Sequence, residues 1–142
     1  MTEERRRSPF SAHIGTEMEE LREGYARLSL VVEERHTNPI GFMHGGVITT
    51  MMDSALGAAL GALRGEDARR NPHATVDMNV SLLSGARPGD RIVVEGSVLR
   101  LGKSIAFGEA EARRISPAGR QDGELIAKGR LTFAVRNREG DE

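Results

Sequence analysis

The stretch from His44 to Leu63 constrains the fold of this chain more than any other part of the sequence. It is almost uncharged and nearly long enough to cross a bilayer, but it is rich in Gly, Ala, Thr and Met and carries Asp53 at its centre. A central aspartate costs roughly 2.5–3.5 kcal/mol on membrane insertion, and the segment has little Leu or Ile to offset that cost. The pattern therefore predicts a buried helix of a soluble domain, with no membrane contact, that has Gly45-Gly46 in its first turn and stops at Arg64-Gly65.

Runs with a period of two flank this segment and predict β-strands. Before it, apolar residues alternate from Ala26 to Val32, and after it the alternation from Ala74 to Leu82 is the cleanest in the sequence. Turn sequences separate three further predicted strands, which are Ile92–Leu99, Ser104–Ile115 and Leu125–Val135. The remaining segments are Phe10–Leu21, which fits a short helix or a first strand, the charged loop Glu66–Asn71 and the polar hairpin loop Ser116–Gly123.

This order of elements predicts an α+β domain in which an antiparallel β-sheet wraps around one long central helix. The 142 residues suit a single domain with an ordered core from about residue 10 to residue 135. The ends, Met1–Ser8 and Arg136–Glu142, are polar and are expected to fray. One helix cannot cover both faces of so long a sheet, so an uncovered face and edge favour the association of subunits.

Composition excludes several classes of function. The chain has no Cys, which rules out disulfides, thiolate nucleophiles and cysteine metal sites. Its 20 basic and 21 acidic side chains give no global field for nucleic acid, and 4% aromatic residues without Trp supply no stacking platform for single strands. Three consecutive arginines near the start are followed by no apolar run, so no secretory signal is predicted and a cytoplasmic location is the default expectation.

His44 and Asp53 are the only ionisable side chains between His44 and Leu63. Each alone is more often a cap or a hydrogen-bonded structural group, but a carboxylate within a buried helix needs partners or a purpose. Gly45 and Gly46 add backbone N–H groups at the positive end of the helix dipole, where there is no Cβ to block an approaching carbonyl. This arrangement is that of an oxyanion hole, although a tight turn explains the two glycines equally well.

The spacing of these groups predicts an oligomer. Asp53 is eight positions after Gly45, which is about 12 Å along a helix that rises 1.5 Å per residue. One helix therefore cannot aim both groups at the same carbonyl carbon. If both act on one substrate, they come from different subunits of a homodimer, with the site at the interface.

Several separated motifs resemble those of PaaI-like (phenylacetyl-CoA thioesterase-like) hotdog-fold proteins, and together they cover the chain from about Phe10 to Val135. They are Asn38-Pro39-Ile40-Gly41-Phe42-Met43-His44-Gly45-Gly46, Thr50-Met51-Met52-Asp53, Thr75-Val76-Asp77-Met78-Asn79-Val80, Pro88-Gly89-Asp90, Leu101-Gly102-Lys103-Ser104 and Ala127-Lys128-Gly129. Motifs in this order are far more specific than a His-Gly-Gly sequence alone. The resemblance implies a hotdog fold, an obligate dimer usually paired into a dimer of dimers, and hydrolysis of acyl-CoA, with CoA as part of the substrate and no separate cofactor or metal.

The resemblance also implies a role for each matching residue. Asp53 would be the general base or the nucleophile, and the N–H of Gly45 would polarise the thioester carbonyl. Asn38 would hold the attacking water or the aspartate of the partner subunit. His44 would orient the loop and contact the thioester region, and its position beside a helix N-terminus favours its neutral form.

Thr75 matches a position where relatives use Ser or Thr to hold water or a carboxylate. A period of two places it on one strand face with Asp77 and Asn79, which predicts a polar wall beside the helix. Threonine is also a good strand former, so a purely structural role explains it equally well.

The expected substrate contacts complete the site. The phosphates of CoA need basic groups, for which Lys103 with Ser104 is the first candidate and Arg87 another. Gly46 and Met52 are expected to contact the substrate beside the helix. Methionines and Phe42 in this region suggest an adaptable apolar pocket for a phenylacetyl, another aryl or a medium-chain acyl group.

The sequence leaves three alternatives open. Asp53 could activate water or could attack the thioester itself to give a mixed anhydride. The protein could also be a non-catalytic hotdog that binds acyl-CoA or an aromatic ligand, because a fold alone does not give a function. A hydratase is the third possibility, but the pairing of His with an acid that it would need is not apparent in this sequence.

Overall fold

The computed structural model describes residues 7–115 and 123–135, and these form three helices and six strands. The helices are α1 (Pro9–Ile14), α2 (Gly45–Arg64) and α3 (Glu66–Arg70), and a 3₁₀ turn covers Glu34–His36. The strands are β1 (Glu17–Arg22), β2 (Tyr25–Val31), β3 (Ala74–Leu82), β4 (Arg91–Leu101), β5 (Ile105–Ile115) and β6 (Glu124–Ala134).

The six strands form one sheet in the order β1-β2-β4-β5-β6-β3, and every neighbouring pair is antiparallel. After β2 the chain passes through α2 and α3 to reach the opposite edge, where β3 pairs with β6 alone. The sheet curves around α2, which contacts all six strands. The predicted α+β class, an antiparallel sheet around one long helix, is confirmed.

The core lies between the sheet and one face of α2. The helix buries Ile48, Met51, Met52, Ala55, Leu56, Ala59 and Leu60, at the spacing of three and four residues that one helical face requires. Leu56 approaches the strands so closely that a Cβ on Gly108 would lie 2.6 Å from its Cδ2 atom. A strand residue without a side chain therefore lets the helix rest directly on the sheet.

The helix is buried on one side only, which differs from the expectation of a helix in the middle of the domain. The face opposite the core carries Thr50, Ser54, Gly57 and Gly61, all of which are partly exposed in the single chain. These residues are small, uncharged and of intermediate hydropathy, so the sequence of α2 looks apolar on all sides although only one face is buried. α2 has the length and composition of a membrane span, but its largest apolar side chains pack against the sheet as those of a core helix.

Two local predictions need correction or completion. Glu66–Asn71, predicted as a charged loop, contains the short helix α3, whose first turn holds a Glu66–Arg69 ion pair at 3.6 Å. A five-residue helix has too little length to show a hydrophobic period. Phe10–Leu21 contains both of its alternatives, α1 followed by β1. The polar ends and the loop Ser116–Gly123 lie almost entirely outside the described residues.

Candidate active site

The loop that leads into α2 is organised by the side chain of Asn38. Its Oδ1 atom accepts hydrogen bonds from the backbone N–H groups of Ile40 and Phe42, both at 3.1 Å. The Asn38 N–H in turn donates to the Phe42 carbonyl at 2.7 Å. The amide oxygen is thus committed to the loop, and the Nδ2 group is the part of this side chain that remains available to a ligand.

His36 anchors the same loop and was not among the residues that the sequence predicted for the site. It is 2% exposed, its Nδ1 atom accepts from the Glu33 N–H at 2.9 Å, and its Nε2 atom donates to the Ile14 carbonyl at 2.8 Å. Its own carbonyl accepts the His44 N–H at 2.7 Å. His36 therefore joins the end of α1 to the residue that begins α2. Its distance of three residues from Glu33, as in a capping box, was the one available signal.

His44 is the N-cap of α2. Its Nδ1 atom accepts the Gly46 N–H at 2.8 Å, and its carbonyl accepts the Val47 N–H at 3.0 Å. An accepting Nδ1 leaves the neutral ring with its proton on Nε2, which points away from the helix as a donor. The expectation that both glycine N–H groups are free therefore holds only in part, because the Gly46 N–H already has an acceptor.

The Gly45 N–H is the free donor of this first turn. Within residues 7–115 and 123–135 no acceptor contacts it, and it lies at the positive end of a helix of 20 residues. A Cβ at this position would lie 2.6 Å from the Leu82 Cδ1 atom at the end of β3. A side chain here would crowd the donor, so glycine keeps the approach to this N–H open.

Asp53 lies in the third turn of α2 and is half-buried. The Thr75 hydroxyl on β3 donates to its Oδ1 atom at 2.5 Å, so one carboxylate oxygen has a fixed partner and the other has none in the described part of the chain. This pair ties the helix to the edge strand. A short charge-assisted hydrogen bond of this kind holds the carboxylate orientation firmly.

The predicted polar wall of Thr75, Asp77 and Asn79 is wrong, because β3 carries a bulge at Val76. Thr75 pairs with the buried Phe133 and faces the helix. Beyond the bulge, Asp77 pairs with Thr132 and Asn79 with Arg130, both on the outer face of the sheet. One extra residue in the strand reverses the faces that a period of two assigns.

Gly45 and Asp53 thus stand on one helix, separated by about 12 Å along its axis. The structure brings Asn38, His44 and Gly45 together at the start of α2, and it brings Asp53 and Thr75 together near its middle. These two groups are called the donor half and the carboxylate half below. No group of three or more His, Asp or Glu side chains in the part of the chain that the structure describes could hold a metal ion.

Comparison with known proteins gives these two halves a family. The model of the thioesterase superfamily matches residues 40–132, which include Gly45, Asp53 and Thr75. The chain belongs to the thioesterase superfamily. Acyl-coenzyme A thioesterase 13 of Mus musculus is 38% identical over 106 residues, which make up 75% of this chain and 69% of that protein. The activity of the chain is thioester hydrolysis, so the alternatives of a non-catalytic binder and a hydratase are not favoured.

Solved structures place this thioesterase among hotdog folds, as predicted. Zebra fish thioesterase superfamily member 2 is 31% identical, with a TM-score of 0.76 over 91% of this chain and 88% of that chain. The E. coli PaaI protein matches 92% of this chain and 86% of its own with a TM-score of 0.79, at 18% identity. A hypothetical thioesterase of Streptococcus pneumoniae, solved with coenzyme A, matches 87% and 88% with a TM-score of 0.75, at 19% identity. At such identities the last two show the shared fold.

The basic residues expected near CoA lie at opposite ends of the thioesterase sheet. Arg87 is close to the donor half, because it stacks over Phe42 at 4.7 Å and the neighbouring Ala86 carbonyl accepts the Met43 N–H. Lys103 and Ser104 are exposed in the β4–β5 turn, at the sheet end where Thr75 lies. The 11 residues of β4 separate the two ends, which is about 35 Å.

Met52 is placed differently from the other expected contacts. It is fully buried in the core, on the sheet-facing side of α2. Any influence of Met52 on a substrate would pass through neighbouring side chains. Methionine suits an adaptable apolar pocket, and the sequence alone did not show which face of α2 Met52 occupies.

Proposed function

We propose that this thioesterase hydrolyses acyl-CoA, with Asp53 of one subunit and the Gly45 N–H of another acting on the same thioester. The observation that carries the proposal is the pairing of a free, dipole-oriented N–H at Gly45 with a carboxylate that Thr75 holds at 2.5 Å. The name of the mouse relative, an acyl-coenzyme A thioesterase, supports acyl-CoA as the substrate class.

The proposed dimer forms along the β3 edge. This edge strand has 9 residues and exposes Val76 (61%) and Met78 (42%), with one side of its backbone unpaired. The opposite edge, β1, has 6 residues of sequence EMEELR, and charges of this kind protect an edge from pairing. Pairing of β3 with a second β3 would extend the sheet across two subunits and cover both exposed side chains. A further pairing into a dimer of dimers is part of the same proposal.

In the proposed reaction a water molecule is held between Asp53 and the thioester carbonyl. Asp53 takes a proton from the water while the water oxygen bonds to the thioester carbonyl carbon. The partner's Gly45 N–H stabilises the negative charge that develops on the carbonyl oxygen. The intermediate then breaks the carbon–sulfur bond, the proton passes from Asp53 to the departing CoA sulfur, and the free acid remains. The Asn38 Nδ2 group and the His44 Nε2–H are donors suited to hold the water and the thioester.

Covalent attack by Asp53, followed by hydrolysis of the mixed anhydride, uses the same residues. A single turnover in ¹⁸O-labelled water distinguishes the two routes. Direct activation of water puts the label only in the product acid, whereas hydrolysis of an anhydride at its aspartyl carbon leaves the label in Asp53, where peptide mass spectrometry detects it.

The distribution of basic residues supports a shared site for CoA. Arg87 belongs to the donor half, and Lys103 and Ser104 belong to the end of the sheet that holds Thr75. If the donor half of one subunit meets the carboxylate half of its partner, these residues approach the same CoA from two subunits. Arginine and lysine suit the phosphates of CoA, and an aryl or medium-chain acyl group suits the apolar surroundings of α2.

Complementation between two inactive variants tests the shared site. Asp53→Asn removes the base, and Gly45→Pro removes the donor N–H at a helix position, N1, that accepts proline. If the halves come from different subunits, a mixed dimer keeps one intact site, and random mixing restores about one quarter of the wild-type activity. Activity is measured as thiol release from octanoyl-CoA and phenylacetyl-CoA after co-expression with two purification tags. Mixed dimers without activity, from inactive parents that remain folded, would refute the arrangement.

A further inference from the structure

A cavity of about 560 Å³ lies between α2, β1 and the short helix α1, and the proposed mechanism does not use it. Its size is within the range of about 300–1,000 Å³ that small-molecule sites occupy. The cavity is lined on the α2 side by Ser54, Gly57 and Ala58, and on the sheet side by Met18 and Leu28. The rest of its lining is polar or charged and consists of Arg7, Ser8, Ser11, Thr16 and Glu17.

The cavity adjoins the carboxylate half through Gly57. Ser54 follows Asp53 directly, and Gly57 is one helical turn beyond Asp53 on nearly the same face. Gly57 has no side chain, so no side chain at this position separates the Asp53 side of the helix from the cavity. A straight chain attached to a carbonyl at Asp53 could therefore cross α2 at this position and enter the cavity.

Neither packing nor backbone conformation requires a glycine at position 57. A Cβ built there meets no atom within 4 Å outside the local helix, and the residue has ordinary helical conformation with no positive φ. Glycine within a helix is less stable than alanine because it has more conformational freedom to lose. The fold therefore does not require a glycine at position 57, and the absence of a side chain there leaves open space on the surface of α2.

We propose that the cavity holds the distal part of the acyl group and that Gly57 is the passage that sets which acyl groups reach it. The inference rests on the proposed function, because it assumes a thioester carbonyl at Asp53. The proposed substrates carry a medium-chain or an aryl-alkyl acyl group. This group is apolar where it passes Gly57, Met18 and Leu28, and it is long enough to reach the space beneath α1.

Substitution of Gly57 tests the passage, and Gly61 supplies the matched control. Gly61 is on the same face of α2 one turn further, does not line the cavity, and has room for a Cβ, with the nearest atom of His73 at 3.8 Å. The probes are butyryl-CoA and decanoyl-CoA. Gly57→Leu is expected to lower the ratio of their kcat/KM values, decanoyl over butyryl, about 100-fold, since a pocket discriminates about 10- to 200-fold for each methylene group. Gly61→Leu is expected to keep the wild-type ratio.

The alanine variants keep the test decisive if either leucine variant folds poorly. Gly57→Ala is expected to raise Tm by about 3–5 °C, since alanine favours the helix, and to lower the same ratio about 10-fold. An unchanged ratio in a stabilised Gly57→Ala enzyme, or an equal change in Gly61→Ala, would overturn the proposal. A wild-type enzyme that hydrolyses neither probe would instead contradict the proposed acyl-CoA activity itself, so the two failures are distinguishable.

Discussion

The donor half and the carboxylate half of the site are built in contrasting ways within one chain. In the donor half, hydrogen bonds from backbone N–H groups fix the loop. The Asn38 side chain accepts those of Ile40 and Phe42, the His36 carbonyl accepts that of His44, and the His44 ring accepts that of Gly46. In the carboxylate half, one hydrogen bond from Thr75 holds Asp53, and Thr75 stands on an edge strand next to an exposed Val76. The single chain thus holds the Gly45 donor in place by itself. The orientation of the Asp53 carboxylate depends on β3, an edge strand that the single chain leaves uncovered.

This contrast predicts that the contribution of the donor half to kcat comes from one N–H group, whereas that of the carboxylate half comes from Asp53 together with the residues around it. Gly45→Pro tests the first part, with Gly45→Ala as its control. Both variants add a Cβ against Leu82, but only proline removes the N–H, and the extended backbone of His44 (φ −65, ψ 133) is compatible with a following proline. Proline is expected to lower kcat about 10²- to 10³-fold below the alanine variant, the usual cost of losing an oxyanion donor. Equal kcat values for the two would exclude the Gly45 N–H as that donor.

The hydroxyl of Thr75 is the next largest expected effect. Thr75→Val keeps the shape of the side chain and removes the hydrogen bond to Asp53, whereas Thr75→Ser keeps the hydroxyl. A hydrogen bond to a charged group contributes about 1.5–3 kcal/mol, so kcat should fall about 10- to 100-fold in the valine variant and much less in the serine variant. Steady-state kinetics with one acyl-CoA suffice. A serine variant as slow as the valine variant would mean that Thr75 acts through packing.

His36 tests whether the rigidity of the donor loop matters. His36→Leu removes both ring hydrogen bonds beneath the loop and is expected to lower kcat about 10-fold, the effect of about one hydrogen bond, with little change in KM. Partial recovery is expected in His36→Asn, whose oxygen can replace the Nδ1 acceptor. His73 is the control, because its ring also makes two hydrogen bonds, to Arg64 and Gly57, but at the far part of α2. If His73→Leu lowered kcat as much as His36→Leu does, with the same decrease in Tm, the loss would reflect stability alone and not the donor loop.

The smallest expected effect is a dependence of stability on pH through His73. Burial lowers the pKa of this ring, and the positive charge of Arg64 lowers it further, while the hydrogen bond to the Gly57 carbonyl opposes the shift. The folded protein therefore binds this proton less readily than the unfolded chain, whose pKa is about 6.5. The neutral ring contributes stability that is complete above pH 6.5 and is lost as the pH falls below that value. His73→Gln should show a smaller decrease in Tm between pH 7.5 and 5.5 than the wild type, and an equal decrease would exclude His73.

The sequence predicts the large elements well because their signals are long. The apolar run gives α2 to within a residue, and the alternation of apolar residues gives β3 and the three strands after it. The spacing of Gly45 and Asp53 in the sequence also predicts their separation along α2, because helix rise is a fixed quantity. These predictions draw on many residues or on covalent geometry, so no single neighbour can overturn them.

Other parts of the site depend on single contacts that leave no pattern in the sequence. His36 follows three charged residues, and its burial depends on contact with Ile14, which is distant in the chain. The acceptor of the Gly46 N–H depends on the rotamer of His44. The direction of Thr75 depends on a bulge whose partner strand comes more than 50 residues later. Tertiary contacts decide each of these, and local sequence does not encode them.

The bulge at Val76 has a consequence for how this enzyme can vary. Without it, and with the pairing of Asp77 unchanged, Val76 would stand opposite Phe133 and face the helix, while Thr75 would turn to the outside. The carboxylate of Asp53 would then meet a hydrocarbon surface in place of a hydroxyl. The number of residues between Thr75 and Asp77 therefore decides whether the Thr75 hydroxyl faces Asp53, and with it whether the hydrogen bond of the proposed catalytic site can form. Insertions and deletions here should be far less tolerated than substitutions of the exposed Val76 side chain itself.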